Sequence, residues 1–298
     1  MIKIQYQKQL QSYSDQINNL KQHGLTFLDE IKADQWLRKV SFYRLSGYWH
    51  PLLVKPQTNI FKPGSTFEQV CQLYEFDYEL KNFLLANISK AEIAVRTQLA
   101  YILSLAYGGF WIENATLFAN QNQHQKTIQS INDEYNRSDE LFVKTFKNKY
   151  SNPLPPSWIT LEISSFGTIS MIYQNLNPGL TKRTVASAFG VGDSVFSSWL
   201  HSLVYVRNIC AHHARLWNRT LGVRPLMPRK PHHTFITWPS SGTQHVYFTL
   251  AIVKYWLDII EPQNNFTLEL NRLLMKYPTV NVNAMGFPAG WEREPFWQ

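Results

Sequence analysis

The stretch WLHSLVYVRNICAHHARLWNR, residues 199–219, decides the fold class that we predict for this chain. Asp193 or Ser194 can supply the N-cap oxygen of a helix, and neither Pro nor Gly occurs from there until Gly222. Helices begin at such caps and end at such breakers. We therefore predict one helix that runs through the whole stretch.

The two sides of this predicted helix differ in polarity. At about 100° per residue, one side collects the apolar residues Phe196, Trp199, Leu203, Val206, Cys210, Ala214 and Trp217. The opposite side collects the polar residues His201, Tyr205, Asn208, His212, Arg215 and Arg219, with no acid among them. Because a helix with one apolar stripe packs that stripe against a core, this segment is the predicted centre of the fold.

Arg207 is the exception, because it projects only about 40° from the centre of the apolar side. An unpaired buried guanidinium is too costly to keep, so Arg207 needs a carboxylate partner or the cleft of a second subunit. Glu92 is the first candidate and Glu162 the second. Glu92 also stands four residues before Arg96, a spacing that by itself predicts an ordinary ion pair on one helix face.

The string Arg207-Asn208-x3-His212 supports two interpretations. Cleavage of RNA without a metal requires a group that exchanges protons with the 2′-hydroxyl and the leaving oxygen, for which His is suited. It also requires a fixed cation near the phosphate, for which Arg is suited. The alternative is an Arg that bridges helices and a surface His. On an ideal helix the two side chains diverge by about 140°, so a compact site needs two copies facing each other across a two-fold axis.

Positive charge is concentrated around the same segment. The chain has a formal net charge of +8. Between residues 181 and 230 there is one acid, Asp193, against eight basic residues, namely Lys182, Arg183, Arg207, Arg215, Arg219, Arg224, Arg229 and Lys230. Such a field attracts a polyanion. Interleaved Trp and His side chains favour RNA, whose unstacked bases pack on rings and guanidinium planes; the alternative is a solvated face without a ligand.

The remaining segments also predict helices. We expect them over residues 3–23, 29–48, 65–107, 158–176, 182–189, 245–260 and 266–277, with a solvated helical insertion over 112–150. A Ser65-x-x-Glu68 capping box opens the third of these. Residues 223–239 are too rich in Pro for a helix and can hold only a short strand or an extended basic arm at 234–238. The fold class is therefore all-α, a helical bundle onto which the aromatic tail, 278–298, packs.

Composition excludes several classes of protein. Cys71 and Cys210 are the two cysteines, and their apolar helical settings predict buried thiols in a reducing compartment. The first residues lack the apolar core of a signal peptide, and no stretch approaches about 18 uncharged apolar residues. We expect a cytoplasmic protein without membrane association. His232 and His233 have no Cys or acid nearby, which favours exposed loop histidines over a metal site, and we predict neither metal nor cofactor.

Four motifs, in order along the chain, resemble one bacterial family. They are SFYRLSGYWHPL at 41–52, the Glu92/Arg96 pair in KAEIAVRTQLA, R-N-x-C-A-H-H-A-R-L-W-N-R at 207–219, and MGFP-x2-W-x3-PFW at 285–297. Together they resemble the Abi-like abortive-infection family, the AbiD/AbiF group, whose core is a HEPN domain. The resemblance implies one all-helical domain over 1–298, with a HEPN core at about 65–220, N-terminal helices in 1–64, and C-terminal helices and tail in 221–298.

The same resemblance implies a metal-independent HEPN endoribonuclease, the toxic component of antiphage defence, that leaves 2′,3′-cyclic phosphate ends. HEPN catalysis pairs two R-x4-H motifs, and this chain has one convincing copy, so a homodimer would contribute Arg207 and His212 from each subunit. His212, or His213 in its place, would transfer protons. Arg207 would stabilise charge on the phosphate, and Asn208 would orient His212.

The implied contacts with RNA involve His213, Arg215, Arg219, Lys182, Arg183, Arg44 and Tyr43, and the implied structural support comes from Glu92, Arg96 and Glu162. Partners would be the RNA substrate and a small structured non-coding RNA. Two alternatives stay open. One is a non-catalytic RNA-binding protein that forms a ribonucleoprotein, and the other is a scaffold that senses a phage protein through the aromatic tail.

Overall fold

The computed structural model of the protein describes residues 5, 9–55, 57–237, 239 and 241–298. Within these residues the regular structure is helical without any β-strand, which confirms the predicted all-α class. The α-helices are α1 (Tyr13–Gln22), α2 (Glu30–Val40), α3 (Phe42–Trp49), α4 (Phe67–Tyr107), α5 (Gln121–Arg137), α6 (Leu141–Lys149), α7 (Ser157–Ile163), α8 (Phe166–Asn175), α9 (Leu180–Ser187), α10 (Asp193–Ala211), α11 (Val246–Ile260) and α12 (Phe266–Lys276).

The chain forms two compact units. One comprises Met1–Leu80 with Leu273–Val280, and the other comprises Lys81–Arg272 with Asn281–Gln298. All of the predicted catalytic and supporting residues belong to the second unit. In the part of the chain that the structure describes, no helix combines the length and the apolar character needed to cross a bilayer.

The first unit corrects two predicted helices. Helix α1 begins at Tyr13 with Ser12 as its N-cap. The predicted helix was to begin at residue 3, and this is wrong for residues 5 and 9–12, which are not helical. Residues 3, 4 and 6–8 lie outside the described part of the chain. The predicted helix over 29–48 is broken at Ser41, whose φ of 70° ends α2. Its hydroxyl then accepts a hydrogen bond from the backbone N–H of Arg44 in the first turn of α3.

Helix α4 begins with a reciprocal capping box one residue later than predicted. The hydroxyl of Thr66 accepts from the backbone N–H of Gln69 at 3.2 Å, and the Gln69 side chain accepts from the N–H of Thr66 at 3.0 Å. Glu68, the predicted capping residue, instead accepts from the backbone N–H of Leu28. The helix then continues without a break to Tyr107.

The core of the second unit is built on α10 and α11. The predicted apolar stripe is buried over Phe196, Trp199, Leu203 and Val206. Its rings meet Trp256 of α11, at centroid distances of 5.2 Å from Phe196 and 6.2 Å from Trp199. Burial of large aromatic side chains in tilted pairs supplies much of the packing energy of such a core, and it fixes the helix that carries Arg207.

The segment predicted to be a solvated insertion is in fact anchored. Helices α5 and α6 occupy most of it, and α5 buries His124 and Ile131. The side chain of Asn175 in α8 both accepts from the backbone N–H of Asn120 and donates to its carbonyl, at 2.9 Å each. The helices themselves are as predicted, but an amphipathic face of α5 packs onto the body of the unit.

Further along, the predicted helix over 158–176 is two helices. Helix α7 ends at Ile163, and Ser165 caps α8 by accepting from the backbone N–H of Thr168 at 3.1 Å. Residues 223–237 form neither a helix nor a strand, and residue 238, the last of the predicted strand or arm, lies outside the described residues. The aromatic residues of the tail are buried, as predicted, and they are Phe287, Trp291, Phe296 and Trp297.

Candidate active site

Helix α10 ends eight residues earlier than the sequence pattern predicts. His212 is its C-cap, and His213 adopts the left-handed conformation with a φ of 54°. The N–H of Ala214 bonds to the carbonyl of Ile209 at 3.0 Å, and that of His213 to the carbonyl of Cys210 at 3.1 Å. This is the Schellman arrangement, in which Gly usually takes the left-handed position. Arg215 and Arg219 therefore lie in a loop, not on the helix.

The guanidinium of Arg207 faces the carboxylate of Glu92, which was the first candidate for its partner. Nε of Arg207 lies 4.0 Å from Oε2 of Glu92, and Oε1 of the same carboxylate lies 2.9 Å from Nη2 of Arg96. The side chains of Glu92 and Arg96 are 15% and 13% exposed, whereas that of Arg207 is 41% exposed. Arg207 is thus held at a surface by a largely buried acid, and it is not the buried cation expected from its helical angle.

Arg96 ties this acid to the break between α7 and α8. Its Nη2 donates to the carbonyl oxygen of Ser164 at 3.1 Å, and its Nη1 donates to that of Glu162 at 3.4 Å. The Glu162 carboxylate lies 3.7 Å from Nη1 of Arg96 and is largely exposed. Glu162, the second candidate for Arg207, therefore pairs with Arg96.

Asn208 and His212 occupy the exposed side of the end of α10. The side-chain oxygen of Asn208 accepts from Nη1 of Arg207 at 3.4 Å, and its backbone carbonyl accepts from the N–H of His212 at 3.0 Å. The Asn208 side chain thus contacts the guanidinium, and its role in orienting the imidazole of His212 stays a prediction. The exposed imidazole of His212 is accessible to a ligand at the end of the helix.

Several residues predicted to contact RNA have structural roles. Lys182 donates to the carbonyl oxygens of Gln174 and Leu176, at 3.2 and 2.9 Å, at the end of α8. Burial lowers the pKa of Lys182, with Asp193 acting in the opposite direction. The ammonium of Lys182 thus uses two of its donors at the end of a helix, whereas the neighbouring Arg183 is exposed.

The loop after α10 is braced by its own arginines. Nη1 of Arg215 donates to the carbonyl oxygens of Trp217 and Asn218, at 2.6 and 2.9 Å. Nη1 of Arg219 donates to the carbonyl of Arg215 at 3.1 Å. Both guanidiniums therefore hold the loop that follows His213, and the further basic residues of this region are exposed, namely Arg224, Arg229 and Lys230.

The remaining predictions concern two residues of the first unit, the two cysteines and a metal site. Tyr43 and Arg44 are exposed on α3. Cys71 and Cys210 are buried and form no disulfide. Among the described residues there is no group of three or more His, Cys, Asp or Glu side chains that could hold a metal ion.

Sequence reasoning missed the contribution of Ser164. Its carbonyl becomes available to Arg96 only because α7 ends there, at the Ser164-Ser165 pair. The signal was present, since Ser is a preferred N-cap and Ser165 is followed by Thr168 at the capping distance. The apolar periodicity across the pair favoured one continuous helix instead.

A family model described as "Abi-like protein" matches residues 35–218, which is more than half of the chain. The chain belongs to the Abi-like protein family. The matched stretch includes Glu92, Arg96, Arg207 and His212, and Arg219 lies one residue beyond its end. This membership connects the Abi-like chain with abortive-infection defence. Neither the curated proteins nor the solved structures contain a match to it.

Proposed function

We propose that this Abi-like protein is a HEPN-type, metal-independent endoribonuclease that acts in abortive-infection defence. The observation that carries the proposal is the end of α10, where Arg207 is half-exposed beside Glu92 and the exposed His212 follows five residues later. An arginine fixed by a carboxylate and an imidazole open to solvent are the two groups that metal-free cleavage of RNA requires.

The proposed reaction is an internal transfer at a phosphodiester. His212 takes the proton of the ribose 2′-hydroxyl, and the 2′-oxygen forms a bond to phosphorus while the bond from phosphorus to the 5′-oxygen breaks. A proton returned from an imidazolium goes to that leaving oxygen. The products are a 2′,3′-cyclic phosphate and a 5′-hydroxyl, and Arg207 stabilises the extra negative charge on the phosphate oxygens.

Two neighbours would position Arg207 for this task. Glu92 lies on the Nε side of the guanidinium and the side chain of Asn208 accepts from Nη1. A carboxylate on one side of a planar guanidinium and a hydrogen-bond acceptor on another favour one orientation of its remaining donors. Glu92 and Asn208 are therefore positioning residues in this proposal, and Arg96 acts one step further away through Glu92.

The proposed site is completed by a second copy of the chain. A single imidazole would have to accept the proton from the 2′-hydroxyl and also supply one to the leaving oxygen. A two-fold arrangement brings two imidazoles and two guanidiniums to one phosphate, and the exposure of Arg207 and His212 is compatible with such a cleft. RNA would be drawn towards it by the exposed residues Arg183, Arg224, Arg229 and Lys230.

Cleavage of labelled RNA in EDTA tests the proposal. We expect His212→Ala to abolish cleavage while binding, followed by fluorescence anisotropy, stays within about threefold of the parent protein. His201→Ala is the matched control, since His201 is exposed on the same helix but eleven residues earlier. Cleavage that survives in His212→Ala would overturn the catalytic assignment.

A non-catalytic RNA-binding protein is the second candidate, and the exposed basic residues Arg183, Arg224, Arg229 and Lys230 favour it as the alternative. RNA binding without cleavage under any condition, unaffected by His212→Ala, would support it. A small structured RNA that copurifies with the chain would then be the expected ligand.

A further inference from the structure

A groove in the second unit has no part in the candidate active site. It measures about 470 Å³ and is lined by side chains that include His232, His233, Lys254, Asp258 and Phe296. Ligand pockets are typically about 300–1,000 Å³, so the groove is larger than a bare phosphate needs and is large enough for one nucleotide.

At the rim of this groove, hydrogen bonds fix the backbone of two exposed histidines, His232 and His233. The N–H of His232 donates to the carbonyl of Gly190 at 2.9 Å, and the hydroxyl of Tyr255 donates to the same carbonyl at 2.8 Å. That hydroxyl also accepts from the N–H of His233 at 3.2 Å. A Cβ at Gly190 would lie 2.6 Å from the Tyr255 oxygen, so the close approach requires Gly. The backbone is thereby fixed while both histidines are exposed.

The floor of the groove is a buried cation. The side chain of Lys254 is 9% exposed, and its Nζ lies 2.6 Å from Oδ2 of Asp258 and 4.9 Å from the centroid of the Phe296 ring. The other carboxylate oxygen, Oδ1, accepts from the side chain of Asn264 at 3.0 Å. Asp258 is half-exposed, so the pair offers a donor and an acceptor to a polar ligand in the groove.

Positive charge continues from the rim along the chain. Arg229 and Lys230 are exposed immediately before Pro231 and His232. Two exposed imidazoles on a fixed backbone and two exposed cations suit a phosphate group, and the ion pair of Lys254 and Asp258 suits the hydrogen-bonding edge of a base. Preorganisation of the loop lowers the entropic cost of binding.

We propose that this groove binds one nucleotide unit, with its phosphate at His232 and His233 and its base towards Lys254 and Asp258. The nucleotide could be free or could belong to an RNA strand, since both present the same phosphate and base. The inference goes beyond the proposed cleavage and does not require it, because the site uses none of the catalytic or positioning residues of that reaction and shares with it only the attraction of RNA by Arg229 and Lys230.

Titration of the full chain with adenosine and guanosine 5′-monophosphates, inorganic phosphate and a short single-stranded RNA tests the inference. We expect at least one mononucleotide to bind with a Kd below about 1 mM and to shift the ring resonances of His232 and His233. The double variant His232→Ala/His233→Ala should weaken binding by about tenfold or more, and His201→Ala should not. Both changes are at exposed side chains, so the variants should fold.

The outcomes separate this inference from the proposed function. Mononucleotide binding without RNA binding would identify a free-nucleotide site, and tighter binding of the RNA that the double variant weakens would identify a strand subsite. Failure of every nucleotide to bind, equal affinity for inorganic phosphate, or equal affinity in the double variant would overturn the inference. If the parent protein binds nucleotides but does not cleave RNA in EDTA, the proposed nuclease activity is wrong and the assignment of the groove still holds.

Discussion

Oε2 of Glu92 lies 4.0 Å from Nε of Arg207, while Oε1 of the same carboxylate is occupied by Arg96 at 2.9 Å. One largely buried acid is therefore shared between an equally buried arginine, Arg96, and a half-exposed one, Arg207. Arg96 also donates to the carbonyl of Ser164, which connects α4 to the end of α7, and the contact of Glu92 with Arg207 connects α4 to α10. This division assigns a structural role to Arg96 and leaves Arg207 available for a ligand.

The first prediction concerns removal of that shared charge. Glu92→Gln should lower the free energy of unfolding by about 1–3 kcal/mol, because Arg96 would remain largely buried without its carboxylate. Cleavage should fall as well, since Arg207 loses its positioning partner. Urea unfolding measures the first effect. The control is Glu162→Gln, whose exposed carboxylate should contribute less than about 1 kcal/mol; equal losses in both variants would contradict the assignment.

The two arginines should separate stability from activity. Arg96→Ala should destabilise the fold, because it leaves the Glu92 carboxylate and two backbone carbonyls without their donor. Arg207→Ala should change the free energy of unfolding by less than about 1 kcal/mol, as expected for a half-exposed pair at 4.0 Å, yet it should abolish cleavage. Measurements of thermal unfolding and of RNA cleavage on both variants distinguish the two roles. RNA cleavage by Arg207→Ala would be inconsistent with the proposed chemistry.

His213 gives a test of the helix end that is independent of catalysis. His213→Gly should be more stable than His213→Ala by about 1 kcal/mol, because Ala strains the left-handed conformation and Gly does not. Both variants lack the imidazole, so the difference between their free energies of unfolding isolates the effect of the backbone.

The same two variants test which histidine acts in catalysis. Both should cleave RNA if His212 is the proton-transfer residue. Loss of cleavage in both would instead assign that role to His213.

The buried elements of this fold were largely predictable from the sequence. The stripe of α10 from Phe196 to Val206 follows from apolar periodicity. The helix that contains Trp256 follows from a run of residues that is apolar around most of its circumference. The contact of Glu92 with Arg207 was expected because a cation near the apolar face of a helix needs a carboxylate partner. These features depend on hydrophobic burial and on charge compensation, which act at the level of residue type.

The helix ends were not predictable in the same way. Ser41 and His213 both stop a helix by taking a positive φ, which is uncommon for residues other than Gly. His adopts it more often than most residues do, but neither Ser nor His is by itself a signal for the end of a helix. The end of α10 matters most for the site, because it moves Arg215 and Arg219 from a helix face to a braced loop and leaves His212 at the C-cap.

Burial of Cys71 predicts an unreactive thiol. Burial raises the pKa of Cys71 to about 12, with Glu68 and Glu75 adding to the shift, because a low-polarity environment and nearby carboxylates both disfavour the charged thiolate. Since the thiolate is the nucleophile, iodoacetamide should leave Cys71 unmodified in the native protein at pH 8 and modify it in denaturant. Peptide mass spectrometry measures this, and rapid labelling of the native chain would contradict the burial.

The most direct measurement of the central claim uses two RNA substrates of one sequence in EDTA, one natural and one with a 2′-deoxyribose at the mapped cleavage position. Attack by the 2′-oxygen predicts that the natural strand yields a 2′,3′-cyclic phosphate and a 5′-hydroxyl, and that the deoxy substitution blocks cleavage there. Cleavage of the substituted bond, or 5′-phosphate ends, would contradict the assignment of Arg207 and His212 to this reaction.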